Sequence, residues 1–520
     1  MHQTHKNEIR IHDNKTLGPT TSPKRHVFFD TDNLVEWEVN LEQRFYQMEK
    51  VPIHGLKQGA PGSWDAKVTS AYGTTLVENG VFRKWFGCMP DARLGDKEPD
   101  HWVTCYAESD DGIHWRKPDL KITGQNRWPG NNLAGLPGCV MSVVYALPSA
   151  GCKYLALTLH KWPEPEPDVC ENVELNEPGM YLFGSDDGLR WHQITRNPII
   201  QHGDWAVLHA DPVRQRYLIY TKMAASHGLI PRRAALVIES RDGIHWEGYH
   251  GTRQWEETFV SDDYDDLVAA QRGFKVGELY GLSMSQVDTL YLTVQSFFTV
   301  GLPLQTRMAQ NFNGIFHLRM AFSHDAKRWR YPRGRPSLLE VGRPGDFDAG
   351  FMVCESTFVE HGDEQLLYYS GTCYPHGWCI ANNGLFRQDI PIEVQRGTQL
   401  LGLAKIKRHR FASLAHTFRG RFDVEIGPKQ GDELTINAYS PNGAIRVAIA
   451  EQSVPAHVMP RKGENLPGFS FDDAIPFTGD SVRAPVQFKK ARVADLPKDK
   501  YLILRFELCA GEVFGYEWTD

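Results

Sequence analysis

Carboxylic acids beside or inside short apolar segments carry the most evident chemistry in this sequence. Glu355 stands between FMVC and STFV, and burial there would raise its pKa toward that of a general acid. Asp65, in GSWDAKV, and Asp204, in QHGDWAVL, each come just before a strand-like segment. A protonated and an ionised carboxyl group together perform general acid–base chemistry. We therefore expect Asp65, Asp204 and Glu355 to be catalytic; a turn-capping Asp65 and a structurally bonded Glu355 are the alternatives.

A second set of side chains has the chemistry of a site for a polar ligand. Amides and imidazoles hydrogen-bond hydroxyl groups, arginine binds carboxylates, and aromatic rings stack on apolar ligand faces, although tryptophan is also a common core residue. Asp211, followed by a proline, is instead typical of a hairpin turn. The expected substrate-binding residues are Trp64, Asn131, Asn132, Trp205, His209, Arg272, Asp348 and His376.

Metal-binding patterns are sparse. The segment SDDYDDLV places Asp262, Asp263, Asp265 and Asp266 close together, and oxygen-rich loops of this kind suit calcium or are simply solvated. The nine cysteines include no CxxC pair, and no histidine and cysteine cluster has the spacing of a zinc site. We expect no cofactor and no catalytic metal; a structural calcium ion is the one ion that this pattern allows.

A repeated phrase indicates the elements that position these residues. ESDDGIHW, GSDDGLRW, ESRDGIHW and FSHDAKRW end at Trp115, Trp191, Trp246 and Trp329. Each follows an alternating apolar segment and places a turn before a large aromatic residue, which is typical of a β-hairpin. We expect the serine and aspartate to bind turn amides and the tryptophan to pack between neighbouring sheets.

A second repeat predicts the number of units. ENGVFRKWFG, SAGCKYLALT, DPVRQRYLIY, KVGELYGLSM and EHGDEQLLYYSG each fit a polar turn followed by a strand. Two hairpins in each unit give four strands, and five such units predict a five-bladed β-propeller. Shorter strands after about residue 391 predict a β-sandwich. The expected all-β architecture is an N-terminal extension (1–26), a propeller (27–390) and a sandwich (391–520), with a short helix only near residues 34–47.

These features resemble the five-bladed β-propeller glycoside hydrolases, which include arabinanases, xylosidases, invertases and fructosyltransferases. The resemblance rests on the ESxDGxxW phrases, on FFDTDNLVE and on LPGFSFDDAIPFTGDSVRAPVQF, and it is closest to bacterial members with a C-terminal β-sandwich. It implies a central pocket in which two carboxyl groups cleave a glycosidic bond. It further implies that Asp65 is the base or nucleophile. With Glu355, assigned by its apolar flanks, as the proton donor, we expect Asp204 to hold the substrate or tune the acid.

The expected function is therefore that of a glycoside hydrolase or transglycosidase acting on a furanoside or similar oligosaccharide. A non-catalytic carbohydrate-binding propeller is the alternative, because a fold alone does not confer activity. The net charge of -7 argues against a nucleic-acid partner and favours a neutral polar ligand. No apolar run is long enough to span a membrane, and the first residues do not form a secretory signal, so a cytoplasmic location is expected. The sequence leaves the oligomeric state open.

Overall fold

In a computed structural model, the 520-residue chain forms two compact units. One contains the described residues of Val27–Asp30 and Glu42–Leu414, and the other contains those of Met1–His26, Thr31–Leu41 and Ala415–Asp520. The residues that the structure describes are 24–38, 40–66, 68–90, 102–161, 173–201, 203–227, 230–248, 256–301, 314–373, 375–376, 400–452 and 463–520.

The larger unit is a five-bladed β-propeller of antiparallel blades, which confirms the predicted fold class. We call the four strands of each blade, in order from the centre of the ring, inner, second, third and outer. They are Val68–Glu78, Val81–Met89, Val103–Ser109 and Trp115–Arg116 in blade 1; Cys139–Tyr145, Tyr154–His160, Gly179–Ser185 and His192–Gln193 in blade 2; Ala206–Asp211, Arg216–His227, Ile230–Ser240 and Glu256–Val260 in blade 3; Val276–Val287, Leu290–Val300, Gly314–Ser323 and Ser337–Leu339 in blade 4; and Phe351–Cys354, Glu364–Thr372, Leu400–Lys407 and Glu49–Val51 in blade 5.

The five inner strands form a closed ring, because each one contacts the inner strand of the next blade and the fifth contacts the first. Hydroxyl groups satisfy backbone amides at the seams, where no ladder of strand pairing is available. The amide of Val143 donates to Thr74 Oγ1 at 2.7 Å, and the amide of Leu208 donates to Ser142 Oγ at 2.9 Å. These bonds join blade 1 to blade 2 and blade 2 to blade 3.

Blade 5 is completed by a strand from the start of the propeller. Glu49–Val51 pairs with Leu400–Lys407, and the short strand Val359–His361 pairs with the second strand of the same blade. This pairing covers the outer edge of Leu400–Lys407 and ties the beginning of the propeller segment to its end. The propeller thus extends past residue 400, which is later in the chain than the expected boundary at residue 390.

The repeated phrase forms the same turn in each of its four copies. In the first copy, the amide of Gly112 donates to Ser109 Oγ at 2.9 Å, and the amide of His114 donates to Asp111 Oδ1 at 2.7 Å. Trp115 and Trp246 occupy like environments, since each indole N–H donates to the carbonyl three residues earlier at 3.1 Å. The phrase therefore has a structural role.

The same turns also join neighbouring blades. Three aromatic residues on second strands each donate a hydrogen bond of 2.7 Å to the turn of the next blade. The acceptor is the backbone carbonyl of the residue at the glycine position of the repeated phrase. These pairs are Tyr368 with Gly112, Trp85 with Gly188, and Tyr220 with Ala326. A buried hydroxyl or indole N–H needs such a partner, so the repeat fixes the spacing of the blades.

One part of the predicted pattern is wrong in blade 4. The sequence predicts a hairpin turn and a second strand for KVGELYGLSM, but all its residues after the first lie in the inner strand, Val276–Val287. The hairpin turn lies later, at Asp288 and Thr289, where Val287 pairs with Leu290. This shift of one strand changes which side chains of blade 4 face the centre of the ring.

A further sheet of the chain has seven strands. Its strands are Arg25–Val27, Leu34–Trp37, Glu42–Phe45, Ala412–Gly427, Glu433–Glu451, Phe477–Pro485 and Leu502–Thr519. Because the described residues form one hydrogen-bonded sheet, its arrangement as a sandwich stays a prediction.

The helix expected near residues 34–47 is absent, because the described residues there form two of these strands. An α-helix lies instead at Asp263–Gln271, with short 3₁₀ helices at Pro148–Ala150 and Val493–Asp495. None of the described helices is long and apolar enough to cross a membrane.

Candidate active site

A group of polar and aromatic side chains meets at one end of the propeller, where the inner strands begin; we call this the entry end. All five blades contribute to the group, which we call the axial cluster. Its members are Tyr72, Lys161, Asp204, Lys222, Arg233, Glu278, Tyr280 and His376.

Tyr72 and Tyr280 meet across the centre of the ring. Tyr72 lies on the inner strand of blade 1 and Tyr280 on that of blade 4, two blades that are not neighbours, yet both side chains pack against one apolar cluster and interact electrostatically. Burial, with the nearby Tyr280, raises the pKa of Tyr72 well above its usual value. Tyr72 therefore keeps its proton and can act as a hydrogen-bond donor at the axis.

Asp204 is the accessible carboxylate of the axial cluster. Its side chain is 50% exposed, and Oδ1 lies 2.6 Å from Lys222 Nζ. That ammonium group also lies 3.7 Å from the centre of the Tyr280 ring. Burial by itself would raise the pKa of Asp204, but Lys222, Lys161 and Arg233 together hold it below the ordinary value. Asp204 is thus ionised and open to solvent.

Glu278 is the buried carboxyl group of the axial cluster. It lies two residues before Tyr280 on the inner strand of blade 4, and its side chain is only 2% exposed. Arg233 NH1 lies 2.5 Å from Glu278 Oε2. Burial nevertheless raises the pKa of Glu278 and outweighs the opposing effect of Arg233. The axial cluster therefore combines one carboxyl group whose pKa is lowered with one whose pKa is raised.

The pairing of two strands in blade 3 explains why both Lys222 and Arg233 reach the axial cluster. Lys222 pairs with Ala235, and Arg233 lies two residues from Ala235 on the same strand, so both cations share one face of the sheet. Further along that face, Leu218 and Tyr220 pack in the core against blade 4. Toward the entry end, the apolar side chains on this face are followed by the basic residues Lys222 and Arg233.

His376 forms part of an aromatic wall beside the two tyrosines. Its ring lies 5.0 Å from that of Tyr280 and stacks on Phe316 at 5.4 Å. Its backbone is held to blade 4, because its amide donates to the carbonyl of Gly314 at 2.9 Å. Of the eleven site residues expected from the sequence, Asp204 and His376 are the two that the described contacts bring into the axial cluster.

Glu355 lies in the seam between blades 5 and 1. It is fully buried and forms an ion pair with Lys84, which is also fully buried, while Thr75 Oγ1 donates to Glu355 Oε1 at 3.2 Å. Burial lowers the pKa of Lys84 well below its usual value. These contacts match the structural alternative that the sequence left open for Glu355.

Asp65 and Asp348 lie in matching loops before the inner strands of blades 1 and 5. Both side chains are buried, and each forms an ion pair at 2.6 Å, Asp65 with Lys117 and Asp348 with Lys50. Ser63 Oγ also donates to Asp65 at 2.8 Å. These partners lie outside the axial cluster, so the described contacts of both aspartates hold their own loops.

The expected binding residues of blade 2 are engaged within the protein. Trp64 Nε1 donates to Asn132 Oδ1 at 2.7 Å, and Asn132 Nδ2 donates to the carbonyl of Tyr106 at 2.5 Å. Asn131 is fully buried, and its amide group bonds the backbone of its own loop, including the amide of Leu133. We therefore leave Trp64, Asn131 and Asn132 out of the proposed site.

The remaining expected residues also have structural partners. Trp205 is 3% exposed within the core between blades 3 and 4. His209 lies near the opposite end of its strand, with Nε2 3.2 Å from Gln286 Oε1, and burial lowers its pKa. Arg272 NH2 lies 2.7 Å from Glu340 Oε1. In each case the described contacts are with residues outside the axial cluster.

The aspartate cluster before blade 4 forms a helix cap and arginine pairs. Asp262 and Asp265 make a reciprocal capping box at the start of the helix. Asp265 also pairs with Arg319 at 2.5 Å, and Asp266 accepts two bonds from Arg232 at 2.9 and 2.6 Å. The acid-rich segment is therefore neutralised by arginines; calcium binding there stays a prediction.

Most of the axial cluster was not predicted from the sequence, for identifiable reasons. Glu278 and Tyr280 fall in the segment for which the sequence predicts a hairpin turn and a second strand. Lys222 and Arg233 stand in apolar strands, in YTKM and PRRAALV, and Tyr72 is one aromatic residue among many. The signal that could have identified Lys222 and Arg233 is a basic residue on the strand face whose other residues are apolar.

Comparison with known proteins gives only distant likenesses. No protein-family model and no curated protein matches the chain. Among solved structures, an N-acetylgalactosamine deacetylase from F. plautii in complex with blood group B trisaccharide has 13% identity and a TM-score of 0.43, covering 70% of this chain and 96% of that one. The GH32 β-fructofuranosidase BmSUC1 of Bombyx mori has 11% identity and a TM-score of 0.37, covering 91% and 94%. At these TM-scores, neither likeness assigns an activity.

Proposed function

We propose that the chain is a glycosidase or transglycosidase that acts on a carbohydrate bound at the axial cluster. The observation that supports this proposal is that two carboxyl groups lie in unlike environments in one cluster. Asp204 is half exposed beside Lys222 and has a lowered pKa, whereas Glu278 is almost fully buried and has a raised pKa. Cleavage of a glycosidic bond needs one ionised and one protonated carboxyl group at the same pH. The furanoside specificity expected from the sequence belongs to the same proposal.

Asp204 serves as the base or nucleophile, because it is charged and open to solvent. It either takes a proton from the attacking water or bonds to the anomeric carbon of the sugar. Lys222, 2.6 Å away, holds the carboxylate in its charged form and restricts its orientation. In a transglycosidase, a sugar hydroxyl would take the place of that water.

Glu278 serves as the proton donor to the leaving oxygen. After it gives up its proton it becomes a carboxylate, and Arg233, at 2.5 Å, stabilises the charge that forms. The hydroxyl groups of Tyr72 and Tyr280 serve as hydrogen-bond partners for sugar hydroxyls. His376 and its aromatic neighbours form a wall against which a sugar ring can pack.

A panel of aryl glycosides, furanosides first, and of short oligosaccharides tests the reaction class. We expect the native protein to release aryl alcohol or reducing sugar from at least one of them, and the double variant Asp204→Asn/Glu278→Gln to release none above background. Release by the double variant at the native rate would contradict the placement of the reaction at the axial cluster.

A second candidate function, carbohydrate binding without catalysis, is favoured by one observation. Glu278 is almost fully buried and is paired with Arg233, so a substrate can reach its proton only if that pair moves. The same panel separates the two candidates. Oligosaccharide binding by calorimetry, with no product after prolonged incubation at any pH, would support binding alone.

A further inference from the structure

We infer that the carbohydrate at the axial cluster carries an anionic group, a carboxylate or a sulfate, and that Lys161 binds it. This inference rests on the proposed function, because it places the substrate beside Asp204. It adds a substrate class and a specificity-determining residue that catalysis by Asp204 and Glu278 does not itself require.

The strand pattern directs Lys161 toward Asp204. Leu157 and Leu159, on the second strand of blade 2, pack in one core cluster with Ala206 of blade 3. Side chains two residues apart share one face of a strand. Lys161 follows two residues after Leu159, and Asp204 precedes Ala206 by two residues. Both residues lie just outside their strands, which end at His160 and begin at Ala206, so both follow this shared core at the entry end.

The electrostatics of Asp204 agree with that placement. Lys161 is one of the cations that lower the pKa of Asp204, and it also acts on the thiol of Cys139, the first residue of the inner strand of blade 2. Its charge is thus felt at the beginning of the inner strands. A ligand bound at Asp204 therefore lies within the field of the Lys161 ammonium group.

Lys161 differs from the other two cations of the axial cluster in having no ion-pair partner among the described residues. Lys222 is paired with Asp204, and Arg233 lies against Glu278, so each of those two cations already has a carboxyl partner within the protein. Lys161 is exposed. An uncompensated ammonium group beside the site attracts an anionic ligand and contributes little to a neutral one.

This local charge is opposite to the charge of the whole chain. The net charge of -7 led to the expectation of a neutral ligand, but a net charge describes solubility and long-range steering rather than one pocket. Within the described part of the axial cluster, three basic side chains face two carboxyl groups. The local balance therefore favours an acidic sugar.

Binding measured by calorimetry tests this inference directly. The probes are D-glucuronate, D-galacturonate and D-galactose 6-sulfate, with D-glucose and D-galactose as neutral counterparts and inorganic phosphate as a free anion. We expect at least one sugar acid or sugar sulfate to bind about tenfold more tightly than its neutral counterpart, and the preference to weaken as salt is added.

The variant Lys161→Met should remove most of that preference, and Lys161→Glu should reverse it. The matched control is Lys490→Met, an exposed lysine in the other unit, which should leave the preference unchanged. Three results would overturn the inference: equal affinity for acidic and neutral sugars, a preference that persists in Lys161→Met, or binding of inorganic phosphate without binding of any charged sugar.

The test of this inference is independent of the test of the proposed function, because it measures sugar binding and needs no turnover. If an acidic sugar binds through Lys161 but no glycoside is cleaved, the catalytic proposal fails and the inference stands. If neutral glycosides are cleaved in an Asp204-dependent manner and Lys161→Met changes no affinity, the inference fails and the catalytic proposal stands.

Discussion

Asp65 and Asp348 occupy equivalent positions in blades 1 and 5. They end the related segments GAPGSWD and GRPGDFD, and in each loop the amide of the first glycine donates to the carbonyl of the aspartate, at 3.2 and 3.1 Å. The second glycine of each segment has a positive φ, 90° and 101°, which favours glycine at both places. The same loop thus occurs twice in one propeller, each time with its aspartate paired to a lysine. This indicates that Asp65 and Asp348 anchor their loops rather than take part in catalysis.

We predict that Asp65→Asn lowers stability and spares turnover. The substitution leaves the Lys117 ammonium beside a neutral amide, so we expect a loss of about 1–3 kcal/mol in the free energy of unfolding. Asp348→Asn is the matched variant and should behave alike. Urea unfolding together with kcat/KM at a temperature where both variants are folded checks this prediction; a loss of turnover in Asp65→Asn alone would return Asp65 to the mechanism.

We predict that Glu355 and Lys84 matter for stability as a pair. Lys84→Met removes one partner and leaves a carboxylate in a fully buried seam, so we expect a loss of about 3–5 kcal/mol. The double variant Lys84→Met/Glu355→Leu removes both charges and should recover most of that loss. A double-mutant cycle by chemical denaturation measures the coupling, and additive losses would show that the two side chains do not interact.

We predict that Lys222→Met moves the acid limb of the pH profile of kcat/KM to higher pH. The lysine lowers the pKa of Asp204, so its removal raises that pKa, and a base must then be deprotonated at a higher pH to act. Lys222→Arg keeps the charge and should keep the limb near its native position. An unshifted limb in Lys222→Met would show that Asp204 is not the group that titrates there.

We predict that the effect of Glu278→Gln depends strongly on the leaving group. Because the glutamine cannot donate a proton, turnover of a substrate with a poor leaving group should fall about 10²–10⁴-fold. An activated aryl group needs little protonation, so its release should be partly restored. Comparing a dinitrophenyl with a methyl glycoside measures the effect, and equal losses on both would remove Glu278 as the donor.

Much of the fold could be predicted because its repeats are local. The Ser–Asp–Gly–Trp phrase makes its hydrogen bonds within six residues, so its physical reason is visible in the sequence. The closing strand Glu49–Val51 is different, since its partner lies some 350 residues later. Nothing in three residues indicates such a partner.

The site was harder to predict because it depends on contacts between distant blades. Tyr72 and Tyr280 meet only after the ring closes, and the misplaced turn of blade 4 hid Glu278 and Tyr280 together. Glu355 was correctly expected to be buried. A sequence does not show that a lysine 271 residues earlier, Lys84, lies beside it, and so burial alone suggested a catalytic acid.

The most direct test of a reaction at the axial cluster compares Asp204→Asn with Asp65→Asn on one substrate under one set of conditions. We predict that Asp204→Asn lowers kcat/KM about 10²–10⁴-fold with little change in thermal stability, since Asp204 is half exposed. Asp65→Asn should lower the melting temperature and leave kcat/KM within about threefold of the native value. The reverse pattern, with turnover lost in Asp65→Asn and retained in Asp204→Asn, would contradict the placement of the reaction at the axial cluster.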